Sequence, residues 1–317
     1  MKNDLTEDFF LSFNQNIKSN SKKKNLKNLE FKFKPIFIIS LPRGASTFLH
    51  QILISSTNVG YVSNLIALFW NFPELGASLQ KKFFRNTFVS SFKSEFGNTE
   101  GIFEPHEWGF FWRKWLQIKT KDDYYNFENK IKWMSLKSEL VRFEEVLKMP
   151  LVFDTAYANT HMEEINYYFK PKFIFLYRSP LSVCNSILKA RLLRYKNLNR
   201  FFAAKPRNFN EIEKIKNPVE QVVAQVWYIF QEMEKSISEL EKNSYTKVKY
   251  EEFFSDFDST LQKIIKFTTN DFSVMSKSKK FPKFSNRNKD EFFDIYYKKE
   301  FDFFYQKYFN NFNYKNF

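Results

Sequence analysis

PIFIISLPRGASTFLHQILI, residues 35–54, is the stretch that decides the fold. Pro35–Leu41 is a short, unbroken apolar run stopped by Pro42 and Gly44, which predicts a strand buried on both faces of a parallel sheet. Thr47–Ile54 then carries apolar residues at helical spacing, so the unit is strand, tight loop, helix. Such a loop aims several backbone N–H groups at one point. The positive end of the helix dipole lies there too, and together they make an anion site. Gly44 and Ala45 let the backbone approach phosphate closely. Ser46 and Thr47 add hydroxyl donors, and Arg43 adds a permanent charge. Taken alone, the loop reads equally well as an ordinary strand-to-helix turn with a capping serine. It lacks the G-x-x-x-x-G-K-[ST] pattern of P-loop NTPases, so magnesium–nucleotide chemistry is not indicated.

A second unit of the same kind follows: Lys172–Tyr177 (KFIFLY) as strand, Arg178-Ser179-Pro180 as turn, Leu181–Leu193 as helix. Pro150–Asp154 (PLVFD) is a weaker strand, with a helix near Met162–Phe169. Gln221–Leu240 reads as a long helix and Tyr245–Tyr250 as another strand. Strands alternating with helices predict an α/β fold, a central parallel β-sheet flanked by helices. Residues 1–30 read as a flexible polar tail or a weak first helix, and 31–317 as a single domain. Within it, 70–149 is expected to be a helical insertion and 271–317 a helical C-terminal tail.

The chain has 317 residues, enough to bury a sizeable core without staples. A single cysteine, Cys184, excludes an internal disulfide and any multi-cysteine metal site. Three scattered histidines, His50, His106 and His161, argue against a His-rich metal cluster. No apolar run approaches the ~18–20 residues of a membrane span, and MKNDLTEDFF has no signal-peptide layout. The expectation is a cytoplasmic protein with no transmembrane segment, free or membrane-peripheral. A net charge of +15 invites a nucleic-acid reading. Phe, Lys, Asn and Ile are inflated together, however, as AT-rich coding would produce, so no nucleic-acid partner is expected. A basic field still steers a polyanionic substrate.

With these residues in view, a family resemblance can be stated. Pro42–Thr47 (PRGAST) resembles the P-[RK]-S-G-T-T loop by which sulfotransferases hold the phosphosulfate of 3′-phosphoadenosine 5′-phosphosulfate (PAPS). Phe173–Arg191 (FIFLYRSPLSVCNSILKAR) resembles the family's 3′-phosphate site: Arg178 ends a strand, Pro180 follows two residues on, and Ser186 stands eight after the arginine. Val248-Lys249-Tyr250-Glu251-Glu252-Phe253 resembles a further family strand, mainly structural. The resemblance covers about residues 34–267 and implies a P-loop NTPase-like three-layer sandwich. It also implies sulfuryl transfer from PAPS to a hydroxyl or amine, without a metal. Donor-binding residues would be Arg43, Gly44, Ala45, Ser46, Thr47, Arg178 and Ser186, with Arg43 also catalytic.

The chain departs from the family pattern at several points. Gly44-Ala45 replaces Ser-Gly, Gly60–Leu65 holds no acid where many relatives carry one, and Asp154 stands where relatives often have lysine. The remaining base candidates are His106 and Glu107 in FEPHEWGF, a segment that also reads as a helix start. His50 reads as structural, and Lys189 and Arg191 as a solvated helix face. Phe110, Phe111, Trp112, Trp115 and Trp133 could stack on sugars, favouring a glycan or glycolipid acceptor, although such spacing also suits core. The alternatives are a nucleotide-dependent kinase, a basic nucleic-acid-binding protein, and a family member that binds PAPS without transferring.

Overall fold

The computed structural model describes residues 11–16, 29–83, 88–118, 131–268, 281–286, 288, 291–310, 312 and 314. Five strands, β1 (Ile36–Ser40), β2 (Gly60–Tyr61), β3 (Leu151–Asp154), β4 (Lys172–Tyr177) and β5 (Tyr245–Lys249), form one sheet in the order β2-β3-β1-β4-β5. All its pairings are parallel, with Ile36 opposite Val152, Ile38 opposite Ile174 and Leu176 opposite Val248.

The period of two sorts the strand residues to opposite faces. Phe37, Ile39, Phe153, Phe173, Phe175 and Tyr177 point to one core. Ile36, Ile38, Val152, Ile174, Leu176 and Val248 point to the other. Helices cover both faces, which explains why the strands read as continuous apolar runs. Helix α1 (Ser46–Ser56) packs Leu49, Ile52 and Leu53 on the second face. The first face is covered by α4 (Trp133–Leu147), α5 (Met162–Phe169), α6 (Pro180–Tyr195) and α7 (Pro218–Ser238), among others. Asn217 starts α7 by accepting the N–H groups of Val219 and Glu220, with Pro218 in the first turn.

Residues 70–149 hold α2 (Pro73–Phe83), α3 (Gly109–Trp115) and α4, and also an element the periodicity did not announce. Ser94–Glu95 and Asn98–Thr99 form an antiparallel hairpin whose two-residue tip is Phe96-Gly97. Both tip residues have positive φ, 49° and 84°. That is the type I′ turn, whose twist matches the strands it joins. Helix α8 (Glu291–Phe309) packs against α7, with Trp227 and Phe309 edge to face at 4.7 Å.

Of the segment read as a flexible tail or a weak first helix, residues 11–16 are helical and docked. Asn14 donates to Leu68 O at 2.7 Å and accepts from Asn71 N at 3.1 Å. Residues 1–10 and 17–28, including the lysine run, lie outside the described residues, as do 119–130 of the insertion and 269–280. No described helix is long and apolar enough to cross a membrane.

Phe37 is fully buried and touches the rings of Trp112, Phe153, Phe169 and Phe173. Phe37→Ala is expected to lower stability by roughly 3–5 kcal/mol, read from the denaturant midpoint. A loss below ~1 kcal/mol would contradict this placement of the core.

Candidate active site

The C-terminal ends of β1, β3 and β4 open into one cleft of about 1330 Å³. Strand β1 is flanked on both sides by strands that come later in the chain. The loops after it therefore diverge and leave the crevice where α/β sheets bind ligands.

The loop after β1 is closed by the Gly44 N–H donating to Leu41 O at 2.8 Å. A Cβ on residue 44 would sit 2.7 Å from that same carbonyl oxygen, so only glycine fits. Arg43 and Ala45 flank it at φ 64° and 74°, in the left-handed region. Ser46 and Thr47 begin α1 and line the cleft.

The second strand–turn–helix unit meets the first. Arg43 Nε donates to Ser186 Oγ at 3.1 Å, and Arg178 Nη1 donates to the Arg43 carbonyl at 2.9 Å. Arg178 is buried, with Nε on Asn288 Oδ1 at 2.8 Å and its guanidinium 4.8 Å above the Tyr250 ring. Glu251 accepts from Ser179 N at 3.0 Å, from the Asn288 amide and from the Tyr314 hydroxyl. The Tyr250-Glu251 pair, expected to be merely structural, thus positions the arginine and the start of α6.

Asp154 ends β3 and is buried in the cleft wall. Burial holds its carboxyl above the usual range, opposed by hydrogen bonds from Ser46 and Thr47. Its Oδ2 and the Oγ1 of Thr155 have no hydrogen-bond partner among the described residues, a pair of buried polar atoms that suits a polar ligand in the cleft. Asn159, on the helix after β3, donates to Ser40 O at 2.7 Å. Glu107 also faces the cleft. A Cβ on Gly97 would lie 2.7 Å from Glu107 Oε1 and 4.0 Å from Thr47 Oγ1, so the carboxyl sits under the hairpin tip beside the loop. Although Glu107 is exposed to the cleft, the atoms packed around its carboxyl desolvate it and raise its pKa first; the Asp154 charge raises it further, while Arg43 opposes both. Two carboxyls facing one cleft, Asp154 buried in its wall and Glu107 exposed to its opening, hold protons more tightly than either would alone.

The other expected residues fall in different places. His106 is not among the cleft-lining residues; its Nδ1 accepts the Trp108 N–H at 2.8 Å, at the entry to α3. His50 is buried against Tyr61, its pKa lowered to about 3 by burial. Phe110, Phe111, Trp112, Trp115 and Trp133 do not line the cleft either. Phe111, Trp112 and Trp133 are core, Trp115 packs against it, and Phe110 stacks on Trp70. Lys189 lines the cleft. Arg191, expected on a solvated helix face, is fully buried and donates to Leu198 O at 3.0 Å and Gln221 Oε1 at 2.7 Å. Its partners on α7, Gln221 and Gln225, are 30 and 34 residues away, beyond any local pattern. Among the residues not anticipated, Phe96 and Gly97 had a usable signal, a glycine placed for a two-residue turn. Asn159, Thr155 and Asn288 had none. No group of three or more His, Cys, Asp and Glu that could hold a metal occurs among the described residues.

Comparison with known proteins agrees with this fold. A family model described as "Sulfotransferase family" matches residues 35–273. Among solved structures, a sulfotransferase from Mycobacterium avium is 11% identical with a TM-score of 0.52, over 90% of this chain and 78% of that one. One from Mycobacterium tuberculosis H37Rv is 11% identical, over 76% and 68% of the two chains, with a TM-score of 0.47. One from Alicyclobacillus acidocaldarius is 14% identical, over 78% and 87%, with a TM-score of 0.39. At these identities a structural likeness concerns the fold alone. No curated protein matches the chain.

Two substitutions check this geometry. Ala45→Gly relieves a left-handed residue and is expected to stabilise by about 1 kcal/mol; a destabilised variant would contradict the loop conformation. Asp154→Asn tests the enclosed carboxyl. A carboxyl whose folded pKa is raised destabilises the fold as pH climbs above its unfolded value of about 3.9. The variant should therefore melt higher than the parent at neutral pH and lose that advantage below about pH 4. An equal advantage at both would contradict the raised pKa.

Proposed function

The chain belongs to the sulfotransferase family, and on that premise we propose that the cleft takes PAPS across its two phosphate loops, with Arg43 and Glu107 flanking the point of transfer. The observation that carries this reading is the Arg43–Ser186 hydrogen bond, which joins the two loops at one wall of one cleft. Gly44, Ala45, Ser46 and Thr47 would cradle the 5′-phosphosulfate through backbone N–H groups and hydroxyls. Arg178 and Ser186 would hold the 3′-phosphate, the guanidinium offering a fork that its contacts with Tyr250 and Asn288 keep in place. The glycine turn at the foot of α1 supports a P-loop-like description of the three layers.

In the transfer, the bond between sulfur and the phosphate oxygen breaks as the acceptor oxygen or nitrogen bonds to sulfur. Arg43 and the loop amides stabilise the charge that grows on the leaving phosphate oxygen. Glu107 takes the proton that the acceptor loses. Desolvation first, and the Asp154 charge second, keep its proton affinity high, so Glu107 acts as a stronger base than an ordinary carboxylate. His106 has no part in this scheme, because its ring is spent on the start of α3. The acceptor is a hydroxyl or amine compound. The glycan reading rested on aromatics that pack in and around the core rather than in the cleft.

Glu107→Gln is expected to lower kcat by roughly 10²–10⁴-fold, measured as release of 3′-phosphoadenosine 5′-phosphate from PAPS, while that product's affinity is unchanged. Full kcat in the variant would remove Glu107 from the mechanism. In the parent, kcat should rise with pH through a limb above the ordinary glutamate value of about 4.3. Asp154→Asn removes the repelling charge and should shift that limb to lower pH. Arg178→Ala should abolish product binding with the fold intact; unchanged affinity would sink the 3′-phosphate assignment.

A further inference from the structure

Beyond the loop and Glu107, the cleft continues along a wall of alternating cations and rings. The Arg43 guanidinium lies 5.3 Å from the centroid of Phe96, at the hairpin tip. Arg194, at the end of α6, lies 5.6 Å from the same ring and 5.3 Å from Phe202. Phe202 meets Phe96 and Tyr195 edge to face, and Arg200 lies 4.1 Å above Tyr195. All of these side chains line the cleft.

The wall is held rigidly in place. Phe96 adopts φ 49°, a conformation unfavourable for so bulky a residue, at a tip that Arg43 and Arg194 both cover. The segment carrying Phe202 is tied to the core. Gln225 Nε2 donates to the carbonyls of Phe202 and Ala204 at 3.0 and 2.8 Å, and buried Arg191 donates to Leu198 O.

Arg194 and Arg200 are exposed, and neither is in an ion pair with a carboxylate among the described residues. Glu95 and Glu213 line the same cleft without pairing to them. Cation–π contact immobilises a guanidinium through its face and leaves its N–H edge for a ligand. A neutral sugar would need open ring faces for stacking. On Phe96 two guanidinium groups already crowd the ring, so the wall selects for charge instead.

From this wall, and resting on the reading of Glu107 and the phosphate loop as the transfer point, we propose that the acceptor is anionic. It carries a carboxylate, sulfate or phosphate group that Arg194 and Arg200 bind, while its hydroxyl or amine reaches Glu107. Arg43 and Arg178 serve the donor, so the outer arginines are the acceptor's own.

The test uses the full chain saturated with 3′-phosphoadenosine 5′-phosphate, whose binding is measured first. Calorimetric titration then compares 4-methylumbelliferyl β-D-glucoside, the matching glucuronide, and 4-methylumbelliferyl phosphate. At least one anionic probe should bind about tenfold or more tightly than the glucoside, the scale of a charge-assisted hydrogen-bonded contact. A winning glucuronide indicates an acidic sugar; a winning phosphate indicates a phosphorylated acceptor. The advantage should fall to within about twofold in the Arg194→Gln/Arg200→Gln variant, with the affinity for the donor product and the melting temperature retained. Equal binding of all three probes, binding of none, or an advantage that survives in the double variant would overturn the proposal. Failure of the donor product itself to bind would instead strike the donor-site reading, and this inference with it.

Discussion

The cleft depends on the position of β1 between two strands that the chain makes only later. Because β3 and β4 lie on either side of it, the ends of all three strands face the same edge of the sheet. The loop after β1 and the turn after β4 then come close enough for Arg43 to reach Ser186 and for Arg178 to reach the Arg43 carbonyl. Neither loop alone distinguishes a phosphate site from an ordinary turn. Their meeting supplies two clustered guanidinium groups, a helix N-terminus and several hydroxyls at one wall, which is a setting for a ligand with anionic groups at both ends.

Where the sequence departs from the family pattern, the geometry gives the departures a physical form. Gly44-Ala45 in place of Ser-Gly moves the glycine to the position where a Cβ would strike Leu41 O, and leaves alanine in the left-handed conformation that glycine would favour. The backbone cradle survives the exchange at some cost in strain. Asp154 in place of the usual lysine puts a second carboxyl beside the loop and next to Glu107. Desolvation first, and for Glu107 the neighbouring charge as well, raise the proton affinity of both carboxyls, and an ionised Asp154 then destabilises the fold above the carboxylate range.

Much of the fold was legible in the sequence because buried parallel strands leave an unmistakable trace. The runs at β1, β3 and β4 are almost wholly apolar, and each is followed by helical spacing. Strand β2 escaped because two residues carry no periodicity. The hairpin escaped because phenylalanine seldom occupies a left-handed turn position, so Phe96 masked the signal that Gly97 offered. At the site, the two strand–turn–helix loops that meet at Arg43 and Ser186 were readable because a tight turn after a buried strand has a local pattern. That Glu107 lines the cleft and His106 does not was not legible, since adjacent residues differ only in which way the backbone turns them. The insertion aromatics looked equally suited to sugar stacking and to core; only packing against the sheet distinguishes the two. The arginine–aromatic wall was invisible because it assembles from β1's loop, a hairpin, the end of α6 and the segment after it.

The central claim is that the two phosphate loops form one site for PAPS. Titrating the purified chain with 3′-phosphoadenosine 5′-phosphate while following its melting temperature, beside ADP, tests it most directly. Ligand that binds only the folded state raises stability with ligand excess over the dissociation constant. The account requires a rise that grows with 3′-phosphoadenosine 5′-phosphate and that ADP, lacking the 3′-phosphate, does not match. No rise at high ligand, or an equal rise with ADP, would contradict it.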